Sequence, residues 1–169
     1  MKRRVVRKHR LKKIGNQVRE IPVETESNWK QGWYNPNHPE KYVGEINHIR
    51  YMSSWELQVH KFLDDNPNII QWSSETIKIP YIKPTDKRVH YYYPDYWIKY
   101  KNRKGQIVEK IVELKPSKYL KPSKAKNRRQ RLYEDTQYAI NLCKWQAAKK
   151  VCDKYGIPFQ IITEKDLLV

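Results

Sequence analysis

Two rhythms of apolar positions run through residues 51–169, and neither is present before them. Trp55, Val59, Phe62 and Leu63 recur at i, i+4, i+7 and i+8, which predicts a helix closed by Asn66-Pro67. Residues 69–72 and 76–82, with Ile77 and Ile79, read as a strand. Residues 89–100 are aromatic and β-prone throughout; a Lys101-to-Gly105 turn joins them to a third strand over 107–115. Residues 132–155 predict a long helix with Ala148, Val151, Cys152 and Tyr155 on one face, stopped by Gly156. A short strand over 159–163 follows Pro158. The order helix, three strands, helix, strand describes an α/β domain over residues 51–169.

Upstream the pattern changes twice. Residues 20–50 mix Trp29, Trp33, Tyr34 and Tyr42 with Pro22, Pro36, Pro39 and Gly44. Prolines this frequent break long elements while the aromatics favour burial, so we expect an irregular strap packed on the core, with a short helix near 45–50. Residues 1–19 carry nine Lys or Arg and no helical stripe. They read as a solvated basic tail, free to touch nucleic-acid backbone.

Charge narrows the partners. The chain holds 35 Lys or Arg against 18 Asp or Glu, a formal net charge of +17. That excess calls for a polyanion, and nucleic acid fits better than a membrane surface because no basic amphipathic helix stands out. No apolar run approaches membrane-spanning length, and the basic N-terminus lacks the apolar stretch of a secretory signal. Cys143 and Cys152 lie on one predicted helix, too far apart to bridge, and no Cys or His cluster has zinc spacing. These features suggest a reduced, intracellular-type protein. They suit a nuclease and a non-catalytic basic structural protein of a nucleoprotein particle equally well.

The chemistry concentrates in the predicted hairpin. Pro94-Asp95 sets a carboxylate in the middle of the second strand. Period-2 geometry then puts Glu113 and Lys115 on one face of the third strand, with Val112 and Leu114 on the other. Asp95 reaches the same point from across the ladder. Two facing carboxylates repel unless a cation separates them, and a hard ion such as Mg²⁺ takes oxygen ligands. Plainer readings stand beside this one. Ser53-x-x-Glu56 is a capping box. Lys115 opens a Lys-Pro-Ser-Lys repeat at 115–118 and 121–124, so it could belong to a basic loop. Residues 115–131 hold eight Lys or Arg, either a phosphate clamp or a solvated loop. Lys144 and Gln146 read as a solvated helix face, and His90 is given no role.

Pro94-Asp95 followed by Glu113-Leu114-Lys115, with Glu56 on an upstream helix, resembles the PD-(D/E)XK nuclease signature. Residues 145–164 are similar to the TnsA-like branch, and the small basic chain as a whole to the head completion nucleases of T-even-like tailed phages. The resemblance implies a restriction-endonuclease-like core and Mg²⁺-dependent cleavage of DNA, with Mn²⁺ as a substitute. It implies metal ligation by Asp95, Glu113, the Leu114 carbonyl and Glu56, and a lysine, Lys115, that orients water and stabilises phosphoryl charge. Lys118, Lys121, Lys124, Lys126, Arg128, Arg129 and Arg131 would hold DNA backbone. It further implies work in the host cytoplasm, or on the virion, with capsid portal or neck proteins as partners. Oligomeric state is left open.

Overall fold

A computed structural model describes residues 31–166 in full, and the backbone of His9–Ile14 and Gln17–Pro22. The chain divides into two compact units, residues 1–66 and 67–169. In the first, β1 (His9–Ile14) and β2 (Gln17–Pro22) form an antiparallel ladder with Leu11 opposite Glu20. A backbone hairpin therefore stands where the basic residues offered no pattern. β3 (Gly32–Trp33) pairs with β4 (Arg50–Tyr51). The pairing needs glycine at position 32, because a Cβ there would meet the Tyr51 hydroxyl at 2.6 Å. Two single 3₁₀ turns lie between them, Pro39–Lys41 and Ile46–His48, the second where a short helix was expected.

α1 (Ser54–Asp65) starts on the Ser53 cap and buries Val59 and Leu63 as its spacing predicts. Phe62 departs from that prediction and is 60% exposed. The same helix buries two polar residues, His60 and Asp64. Asp64 accepts hydrogen bonds from the Tyr34 hydroxyl (2.7 Å) and from the backbone N–H of Asn37 (2.6 Å) and His38 (3.0 Å). Lys41 Nζ donates to the carbonyls of Asp64 (2.7 Å) and Asn66 (3.0 Å), satisfying acceptors that a helix end leaves open. Residues 34–41 are thus tied to the C-terminal turn of α1 by charge-assisted bonds.

The second unit contains β5 (Ile69–Ser74), β6 (Ile79–Ile82), β7 (Val89–Tyr92), β8 (Tyr96–Lys101), β9 (Ile107–Leu114), α2 (Arg128–Tyr155) and β10 (Phe159–Ile162). The main sheet runs β10-β9-β8-β5 and is mixed: β10 pairs with β9 in parallel, while β9–β8 and β8–β5 are antiparallel. β6 and β7 form a separate two-stranded ribbon. One expectation is corrected here. Residues 89–100 are two strands rather than one, and Asp95 sits in the break between them. Pro94 has no N–H to give a ladder, so pairing stops before it and resumes at Tyr96 in a different sheet.

α2 begins earlier than residue 132, because Asn127 caps it by accepting from the N–H groups of Arg129 and Gln130. Gly156, at φ 66°, ends it in the left-handed conformation expected of a helix stop. Ala148 and Cys152 are buried as predicted, whereas Tyr155 at the fraying end is 68% exposed. The core joins Ile79, Tyr81 and Tyr92 of the ribbon to Ile140, Trp145 and Ala148 of α2, with Phe159 and Ile161 of β10 packed against them. Both cysteines are free.

Candidate active site

Register brings the three hairpin residues together. Tyr96 pairs with Val112 in the antiparallel β8–β9 ladder, so Asp95 and Glu113 stand opposite one step beyond it. The Asp95 carboxylate completes that step with its side chain: Oδ2 accepts from the Leu114 N–H at 2.6 Å. Lys115 follows the strand, and its N–H donates to the Ile162 carbonyl of β10 at 2.9 Å. Glu113 pairs with Ile161, a residue packed into the α2 core, so the Glu113 side chain lies on the α2 face of the sheet. Lys115 Nζ comes to 3.5 Å from Glu113 Oε1 on that same face. The shared side for Glu113 and Lys115 is the one their two-residue spacing predicts.

Two further residues join the cluster: Tyr92, which the sequence did not single out, and Lys144, read there as part of a solvated helix face. Tyr92 of β7 donates its hydroxyl to Glu113 Oε2 at 2.7 Å. Both groups are deeply buried, Tyr92 at 4% exposure and Glu113 at 5%. Burial, then the Glu113 charge, push the Tyr92 phenol far above the ordinary tyrosine range, so it stays protonated and donating. Lys144 of α2 places its ammonium 5.6 Å from the Tyr92 ring centre and 5.9 Å from that of Tyr81. Burial, and after it the charge of Lys115, hold its pKa below the usual lysine value, while Glu113 and Asp95 act in the opposite sense. Lys144 is therefore half-buried beside the acids rather than on a solvated face. Gln146 is exposed, as expected.

The donor set suits a hard divalent cation. Two carboxylates and a strand-end carbonyl at Leu114 offer oxygen donors, and an ionised carboxylate has about four lone-pair sites, enough for a cation beside one or two hydrogen bonds. Among the described residues no group of three or more His, Cys, Asp or Glu side chains gathers as a metal site. Glu56 is engaged at the start of its own helix. Oε2 accepts from the Met52 N–H (2.6 Å), Oε1 from the Ser53 hydroxyl (3.0 Å), and Ser53 Oγ accepts from the Glu56 N–H (3.1 Å). Ser53 thus caps the helix while Glu56 reaches back to the residue before the cap, a variant of the capping box.

The basic stretch after Lys115 is an anchored arc. Ser117, opening the 3₁₀ turn Ser117–Leu120, donates its N–H to Glu164 Oε2 at 2.8 Å and its hydroxyl to Oε1 of the same residue. Ser123 gives its N–H to Asp135 (2.8 Å) and its hydroxyl to Glu134. Between these pins and α2 lies an open pocket of about 350 Å³ whose lining includes Lys118, Lys121 and Lys124. Lys126, Arg128, Arg129 and Arg131 continue on exposed positions into the first turn of α2. His90 bonds Asp86 at 2.8 Å, in the ribbon.

The chain is similar to known nucleases. Residues 66–164 match the family described as TnsA-like endonuclease, N terminal, a span that holds Asp95, Glu113 and Lys115 and excludes Glu56. Over 144 residues the chain is 36% identical to the head completion nuclease of Enterobacteria phage T4, a match covering 80% of this chain and 92% of that protein.

Proposed function

This chain belongs to the TnsA-like endonuclease family, and from that premise we propose that it hydrolyses DNA phosphodiester bonds with a divalent cation, Mg²⁺ or Mn²⁺, during phage head completion. The observation that carries the reading is the convergence at the end of β9. Asp95 is bonded to the Leu114 N–H at 2.6 Å, and Glu113 and Lys115 lie 3.5 Å apart on one face. Its restriction-endonuclease-like mixed sheet supports the same conclusion.

Asp95, Glu113 and the Leu114 carbonyl would hold the cation. When bound, that ion supplies positive charge at the phosphoryl group and acidifies water. Lys115 keeps its ammonium at the edge of the acid pair, where it donates to a phosphoryl oxygen as negative charge develops there. The lysines and arginines from Lys118 to Arg131 track the backbone on either side, with affinity that follows phosphates rather than sequence. For Glu56 the hydrogen bonds favour the cap over a ligand role. A chain of this charge working at head–tail joining would act in the host cytoplasm during assembly, with portal or neck proteins as its protein partners.

The deciding experiment compares wild type, Asp95→Asn and Glu113→Gln on plasmid and linear DNA, with Mg²⁺ and with chelator. Both substitutions keep size and remove a charged oxygen ligand. Cleavage should vanish in each while DNA binding and melting temperature hold. A wild type that binds DNA but does not cut it under any metal condition would instead be the basic structural protein that its composition also allows.

A further inference from the structure

Glu113 is held at both oxygens by groups of very different kinds. Lys115, on the same strand, approaches Oε1 at 3.5 Å with a flexible charged stem. Tyr92 approaches Oε2 at 2.7 Å from another sheet, with a rigid ring. The ring cannot drift, because it is packed with Ile79, Trp145 and Ala148 in the α2 core. A carboxylate turns readily about its last torsion, a broad and roughly two-fold rotor. One bond from a fixed donor removes that freedom and assigns the oxygens separate tasks.

We propose that Tyr92 is a positioning residue of the active site, whose hydroxyl fixes Oε2 of Glu113 and thereby presents the rest of the carboxylate to the divalent cation and Lys115. This rests on the nuclease reading above. Tyr92 lies three residues before Asp95, with the Pro94 break between them. The ribbon strand that carries Tyr92 therefore sets the orientation of one acid and leads directly into the other. Partners that orient metal-ligating carboxylates typically matter about 10–100-fold in metal affinity or activity.

Tyr92→Phe keeps the ring and removes the hydroxyl. Mn²⁺ binding to the DNA-free protein, followed by calorimetry, should weaken at least about 10-fold. The Mg²⁺ concentration for half-maximal cleavage should rise in parallel, with turnover at saturating Mg²⁺ largely restored. In a Glu113→Gln background the same change should leave Mn²⁺ binding where Glu113→Gln alone puts it, because Tyr92 acts through that carboxylate. A lowered melting temperature with wild-type Mn²⁺ affinity would make Tyr92 a core residue only and overturn the proposal. An observation on wild type makes the outcome independent of how well the variant folds. The Tyr92 hydroxyl proton, buried and bonded to Glu113, should shift in NMR spectra when Mg²⁺ is added, and an unmoved resonance would overturn the proposal as well. Failure of the parent reading looks different, since wild type would then show no metal-dependent cleavage at all.

Discussion

Lys115 belongs at once to the acid pair and to the head of a basic arc, and one substitution separates the two. Lys115→Met keeps the apolar stem and removes the charge. A lost transition-state contact costs about 10²–10³ in turnover; a lost arc charge would weaken DNA binding slightly and spare turnover. We expect the large loss, read from single-turnover rates at saturating DNA, because Nζ is already held 3.5 Å from Glu113. His60 makes a second prediction at this scale. It is 1% exposed, and burial lowers its pKa from 6.5 to about 4. The unfolded chain takes up a proton that the folded one refuses. The stability from neutral His60 is therefore complete above about pH 6.5 and is lost as pH falls toward 4, at most about 3 kcal/mol from this group. Urea midpoints between pH 7 and 4.5 should show the decline, and His60→Leu should flatten it. Asp95, Glu113 and Lys115 were legible because their chemistry lies in residue type and a two-residue period. Tyr92 was not, because its bond to Glu113 joins two separate sheets, and Lys144, read as solvated, is half-buried by packing that no local pattern encodes.

At the scale of elements, apolar spacing located both helices and the strand-forming stretches from β5 onward; it gave no sign of β1 to β4, and elsewhere it erred where one residue outweighed the pattern. Pro94 divided an aromatic run that is β-prone from end to end, and the division carries Asp95 out of the strand. Phe62 satisfies the helical stripe of α1 yet faces solvent, while His60 and Asp64, polar by type, are buried. Asp64 can be buried because three donors from residues 34–38 reach it, and those lie in a proline-broken stretch whose path sequence does not reveal. Glu56 supplies the prediction here. Its removal in Glu56→Ala dismantles the capping box and should lower stability by about 1 kcal/mol. Cleavage at saturating Mg²⁺ should persist. A large loss of turnover with an unchanged melting temperature would instead make Glu56 a site residue.

For the whole molecule the governing quantity is the net charge of +17, which on the nuclease reading would make binding to duplex DNA strongly dependent on salt. Each phosphate neutralised contributes a slope of about −0.9 in log affinity against log salt. Residues 1–22, which include the β1–β2 hairpin, carry nine Lys or Arg and one acid, Glu20. Deleting them should flatten the measured slope by several units while turnover at saturating DNA survives, since Asp95, Glu113 and Lys115 belong to the other unit. An unchanged slope would assign the hairpin to a protein surface rather than to DNA.

The parallel pairing of β10 with β9 also orders events during synthesis. Lys115 is held through its N–H by the Ile162 carbonyl, forty-seven residues further along the chain. At about 5–20 residues per second, the ribosome makes the lysine roughly 2–9 s before its anchor exists. Throughout that interval the acids and the lysine are present in the nascent polypeptide, but the sheet that aligns them lacks its outer strand. On the nuclease reading, the site is aligned as described only once residues 159–162 have been made and paired with β9.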